Sequence, residues 1–195
     1  SDKFYNSLMA VLEETIDGTY ADLDFTRIYG SGQSAGSMAT QGFVRTNPEF
    51  YAAAASTSGL AVPDGTSQLP EGAGGAMPDF VITGQSDLDN LMPDLWGSEM
   101  ANEWITYLFD VNNMPDAQIG TADDEHEFIN DRTKVYTWEN SDGVPMVKYG
   151  YTLLRAHNCS PYEMPILWDF MEHFSFEKAE DGTITRYYSA SAFER

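Results

Sequence analysis

Apolar residues recur at helical spacing at the start of the chain. Phe4, Leu8, Val11, Leu12 and Ile16 form one stripe over residues 3–17, and Gly18 marks its stop. Arg27, Ile28 and Tyr29 then read as a buried strand running over 27–31. Within 35–46 the residues are small, and Met38, Ala39, Phe43 and Val44 return to helical spacing. Asn47-Pro48 ends that helix, because the residue before a proline is pushed out of the helical region. Residues 50–57 (Phe-Tyr-Ala-Ala-Ala-Ala-Ser-Thr) have helical propensity. Their place between a helix and Ser58-Gly59 instead predicts a buried parallel strand.

Gly and Pro gather in 60–77, which reads as a loop. The run 78–84 is the next buried strand. Residues 97–110 form a helix around Met100, Trp104, Tyr107 and Leu108. Residues 111–132 are polar and acidic and read as loop with some helix. Segments 134–138 and 146–154 flank Asn140-Ser141-Asp142-Gly143 and read as a β-hairpin. Pro165 opens a helix that runs to about Phe174, with Ile166, Leu167, Phe170, Met171 and Phe174 turned inward. Helices alternating with strands predict an α/β fold, a mostly parallel sheet with helices on both faces. Ligands of such sheets bind beyond the carboxyl ends of the strands.

Composition narrows this picture. The chain has 195 residues, of which 42% are hydrophobic, enough for one sizeable core and a single domain over residues 1–195. No apolar run is long enough to cross a bilayer, which argues against membrane insertion. The net charge of −21 repels phosphate backbones, so nucleic acid is excluded as a partner class. Cys159 is the only cysteine, so no internal disulfide can form.

The chemistry concentrates where the first strand ends. Gly32-Gln33-Ser34-Ala35-Gly36 has the G-x-S-x-G pattern of a nucleophile elbow. Such a turn strains the serine backbone and exposes its hydroxyl. The small residues on either side let strand and helix approach without a Cβ clash. A serine needs a base, and the base needs an orienting carboxylate, in the chain order serine, acid, histidine. His157 follows the strand that ends near Leu154 and is the expected base. Asp87, early in the loop after the strand 78–84, is the expected acid, with Asp89 as the alternative. His173 reads as a cation at a helix carboxyl end. His126, within Asp123-Asp124-Glu125-His126-Glu127, reads as part of a solvated face rather than a metal site. Trp96, Trp104, Trp138 and Trp168 are either core residues or stacking platforms for sugars and aromatic acyl groups.

The stretch Arg27-Ile28-Tyr29-Gly30-Ser31-Gly32-Gln33-Ser34-Ala35-Gly36-Ser37-Met38-Ala39 resembles the polyhydroxybutyrate depolymerase and feruloyl or acetylxylan esterase group of α/β-hydrolases. So do Pro48-Glu49-Phe50-Tyr51-Ala52-Ala53-Ala54-Ala55, Ser58-Gly59 and, near Phe174-Ser175, Trp168-Asp169-Phe170. The acid strand of that group usually reads His-Gly-x-x-Asp; here Thr83 stands at the histidine. The resemblance implies a serine esterase without metal or organic cofactor, acting on a small or polymeric ester. It also implies an extracytoplasmic location. A peptidase, an acyltransferase or a silent hydrolase-like binding module are the alternatives. In this fold several strands precede the elbow, and the loop after the third supplies an oxyanion donor. Residues 1–26 offer no such loop, so Ala35 N–H is the donor that can be named. The expectation is a carboxyl-terminal portion of a longer hydrolase, lacking the amino-terminal strands and paired with the missing part.

Overall fold

The computed structural model describes residues 24–63, 69–70, 72–87, 98–120 and 127–193, together with Lys3, Ser7, Ala10 and Val11, which are helical. Phe4, Leu8, Leu12, Ile16 and Gly18 of the expected first helix lie outside the described residues. So do Asp89, Trp96 and His126.

Six strands make the main sheet: β1 (Tyr29–Gly30), β2 (Ala53–Thr57), β3 (Asp79–Ser86), β4 (Glu127–Ile129), β5 (Thr133–Glu139) and β6 (Pro145–Ala156). Their spatial order is β1-β2-β3-β6-β5-β4. The pairs β1–β2, β2–β3 and β3–β6 are parallel, while β5 and β4 add antiparallel strands at one side. Among the described residues, β1 is the opposite edge.

The strands reveal which face each helix covers. In β3, Phe80 and Ile82 look one way and Val81 the other, as strand geometry requires. Helix α2 (Glu99–Val111) lays Trp104, Ile105 and Leu108 against Val81, Val147 and Tyr149. Helix α3 (Glu163–Met171) lays Ile166, Leu167 and Phe170 against Phe80, Ile82, Ala53 and Ala55 on the other face. Helix α1 (Ala35–Thr46) packs Val44 on Ala54. The alanine-only run of β2 is fully buried, and its small side chains let helices close in from both sides. Each large apolar side chain buried here contributes about 1.5–3 kcal/mol. Ser98 starts α2 by accepting a 3.0 Å hydrogen bond from Ala101 N–H.

A buried ion pair binds α1 to β3. The Arg45 guanidinium donates to Asp79, and both side chains are fully shielded from solvent. Arg45 also donates to the Gln41 carbonyl at 3.0 Å and stacks over Tyr107.

Several expectations are corrected. The strand expected over 27–31 is only Tyr29–Gly30, because Arg27 turns aside to Asp24 at 2.5 Å. The last helix stops at Met171. Phe174 is buried as expected, but it opens a new strand, β7 (Phe174–Lys178), paired antiparallel with β8 (Ile184–Tyr188). This ribbon was missed, although Asp181-Gly182 between two β-type runs is its signal. Gly182 takes the left-handed φ of 85° that such a turn needs. The three-residue β4 was also missed, because its acidic surroundings read as loop.

Candidate active site

Beyond Gly30 the chain stays against β2. Thr57 N–H donates to the Gly32 carbonyl and Ser34 N–H to the Thr57 carbonyl, both at 2.9 Å. The chain then turns at once into α1. Ser34 sits at φ 58° and ψ −122°, a conformation costly for a residue with a Cβ. The turn is tight on one side only. A Cβ at Gly32 would lie 2.3 Å from the Gly36 carbonyl oxygen, whereas a Cβ at Gly36 meets nothing within 4 Å. The expectation that both flanking glycines relieve a clash is therefore corrected: Gly32 does so and Gly36 does not. Gly32→Ala is expected to abolish folding of the elbow. Gly36→Ala is expected to leave Ser34 reactivity intact and to raise stability by about 1 kcal/mol through helix propensity. Thermal melts together with covalent labelling of Ser34 would check both, and a disruptive Gly36→Ala would refute this geometry.

The loop after β2 is pinned beneath the elbow. Ser37 Oγ and Gln41 Nε2 both donate to the Gly59 carbonyl at 2.8 Å. Gln41 Oε1 accepts from Ala61 N–H and from Trp104 Nε1.

The three residues singled out from the sequence meet at the carboxyl ends of β1, β3 and β6. Ser34 Oγ is 2.8 Å from His157 Nε2, and His157 Nδ1 is 2.6 Å from Asp87 Oδ1. A carboxylate only accepts, so Nδ1 carries the ring proton. In the neutral ring Nε2 is then left to accept from the Ser34 hydroxyl. The Asp87 side chain is fully buried and that of His157 is 27% exposed. Asp87 Oδ2 accepts from Gly84 N–H at 3.1 Å and from Ser58 Oγ at 2.9 Å. The Arg155 guanidinium stands 3.8 Å from the same oxygen. The rival acid Asp89 lies outside the described residues.

Ala35 is the first residue of α1, so its N–H belongs to the turn whose donors have no partner within the helix. The amino end of the helix adds a partial positive charge beside Ser34. Together they suit an anionic oxygen. Thr83 is buried and shares a 3.1 Å hydrogen bond with the Tyr149 hydroxyl.

Ser58 and Arg155 were missed as site residues. Ser58 had a signal, since Ser58-Gly59 directly follows the expected strand 50–57, and in the structure it adopts a left-handed φ of 57°. Arg155 had none in local pattern.

The remaining sequence candidates fall elsewhere. Trp104 is core and Trp138 is half-buried, with its Nε1 donating to the Gln118 carbonyl, while Trp168 is exposed. His173 directly follows the carboxyl end of α3, and its Nδ1–H donates to the Ser189 carbonyl at 2.7 Å. Its ring, Asp169 and Glu172 bring ligand-type atoms within 4.8 Å of one another, and this group shares no residue with the triad. Two cavities of about 790 and 570 Å³, one beside Tyr107 and one beside Phe176, also include none of Ser34, Asp87 and His157.

No family model matches the chain, and no curated protein matches it. Among solved structures it is similar to the crystal structure of a SOBER1 variant from Arabidopsis thaliana. The two share 15% identity with a TM-score of 0.49, over 85% of this chain and 61% of the other. The chain therefore spans less than two thirds of that protein's length. The sheet of parallel strands β1-β2-β3-β6, entered through a strand–serine–helix turn and covered by helices on both faces, is an α/β-hydrolase-type fold.

Proposed function

We propose that the chain is a serine hydrolase of carboxylic esters. The observation that carries this reading is the continuous contact from the strained Ser34 through His157 to the buried Asp87 carboxylate. His157 Nε2 takes the hydroxyl proton as Ser34 Oγ bonds to the acyl carbon. The carbonyl oxygen becomes an oxyanion facing Ala35 N–H. Asp87 holds the ring in the productive tautomer and stabilises the imidazolium. Collapse of the adduct breaks the bond to the leaving alcohol, which receives the proton from His157. Water then enters by the same route and releases the acid. A net charge of −21 favours neutral esters over polyanionic ones, and acyl groups on plant polysaccharide or a short polyester fit that requirement.

A fluorophosphonate probe tests the reading. The chain is expected to gain one adduct, mapped by peptide mass to Ser34, and Ser34→Ala is expected to gain none. A wild-type chain inert to the probe would mark a hydrolase-like binding module instead. Matched ester and amide substrates distinguish an esterase from a peptidase on the same triad.

A further inference from the structure

A bulge in β6 delivers one charged side chain into the sheet beneath the triad. Gly84 faces Thr152 and Ser86 faces Ala156, so β6 takes four steps where β3 takes two. The extra residues are accommodated at Leu154, which adopts φ 58° and donates its N–H to Gln85 Oε1 at 2.9 Å. The bulge changes which way the strand points. Thr152 looks toward α3, where its hydroxyl donates to Glu163 Oε1 at 2.5 Å. Strict alternation would turn Arg155 to the opposite face. Arg155 lies within the bulge, where the left-handed Leu154 breaks the alternation, and it also reaches Glu163, with Nε 2.6 Å from Oε1. A leucine that is 83% exposed in a left-handed conformation gains nothing from burial, so the strain has its return in the placement of Arg155.

The side chain of Arg155 is 3% exposed, and its guanidinium borders both Asp87 and the loop that carries His157. Nη1 donates to the Ala156 carbonyl at 3.2 Å and to the Asn158 carbonyl, the two carbonyls that flank His157. It also donates to Ser58 Oγ at 2.7 Å, and Ser58 passes its own proton toward Asp87 Oδ2. Nη2 donates to the Ile82 carbonyl in β3 at 3.0 Å. One planar fork thus ties the acid strand, the loop after β2 and the histidine loop together. A lysine, with a single ammonium, could not do this. Glu163 is the buried counter-charge that lets a guanidinium lie in this interior.

We propose that Arg155, held by Glu163, is the positioning residue of the triad, fixing the His157 loop through its carbonyls and Asp87 through the Ser58 hydroxyl. This rests on the reading of Ser34, His157 and Asp87 as a catalytic triad. Arg155 touches no substrate; its effect is on the geometry of proton transfer.

The test compares wild type with Arg155→Met and Ser58→Ala. Three readouts are needed: probe labelling of Ser34, steady-state turnover of a small activated ester, and the far-downfield proton signal of His157 Nδ1–H. Arg155→Met is expected to lower kcat about 10–100-fold with KM unchanged, as displacement of a catalytic group by an ångström does. It is also expected to erase the downfield signal. Ser58→Ala keeps the Arg155–Glu163 pair, so it tests the relay even where Arg155→Met fails to fold. It is expected to lower kcat in the same direction and shift that signal. A wild type inert to the probe overturns the triad reading and this inference with it. A reactive wild type with unchanged kcat and downfield signal in Ser58→Ala overturns this inference alone.

Discussion

Replacing His157 with alanine is expected to lower kcat for an activated ester by about 10⁴–10⁶-fold with little change in KM. The ring is the only base within reach of Ser34 Oγ among the described residues, at 2.8 Å, and a serine hydroxyl without a base is a poor nucleophile. Asp87→Asn is expected to fall by about 10⁴-fold. The amide would present a donor to Nδ1 at 2.6 Å and so favour the tautomer in which Nε2 carries the proton. The two losses should not add. In the double variant kcat should fall no further than in His157→Ala alone, because the residues act as one unit. Steady-state kinetics on the three variants measures this. Turnover in His157→Ala within tenfold of wild type would exclude the ring as the base.

The second large effect concerns stability. Asp79→Ala is expected to cost about 3–5 kcal/mol, because it strands the Arg45 guanidinium in a site with no access to water. For a chain of this size that lowers the melting temperature by about 6–20 °C. Burial pushes the Asp79 carboxyl upward and the Arg45 charge pulls it back down, so Asp79 depends on Arg45 for its ionised form. Removing both charges is a different case. Arg45→Met combined with Asp79→Leu is expected to recover most of the loss, since apolar replacements of a buried pair are often neutral or stabilising. Thermal or denaturant unfolding of the single and double variants decides it. An Asp79→Ala chain as stable as wild type would show that the pair contributes nothing to the attachment of α1 to β3.

The elements that were legible in the sequence are those whose signal is local. The helix at 35–46 is bounded by the elbow and by Asn47-Pro48, and it appears as Ala35–Thr46. The four-alanine run was assigned to a strand by its position against its propensity, and three of its alanines open β2. The elements that were missed or misjudged lack such boundaries. Nothing in the sequence separates Phe174 from the stripe of α3, because an inward side chain continues the helical spacing whether it sits in helix or strand. The strand β4 exists because β5 offers it an edge, not because Glu127-Phe128-Ile129 favours one.

By itself the sequence determined the elements with local boundaries and the residues that follow their strands, because periodicity and turn chemistry act over a few positions. Ser34 is named by the G-x-S-x-G pattern, and Asp87 and His157 by their places after strands in the order serine, acid, histidine. Only the tertiary structure decided what meets them. Ser58 lies 29 residues from Asp87 and 97 from Arg155, and the hydrogen bonds joining them depend on sheet order and on the bulge at Leu154. Strand order is set by burial summed over the whole sheet, and register decides which face each side chain meets, since a one-residue shift reverses the facing of every side chain after it. Arg155 is therefore an unremarked cation in the sequence. In the fold it is a buried cation 3.8 Å from the Asp87 carboxylate.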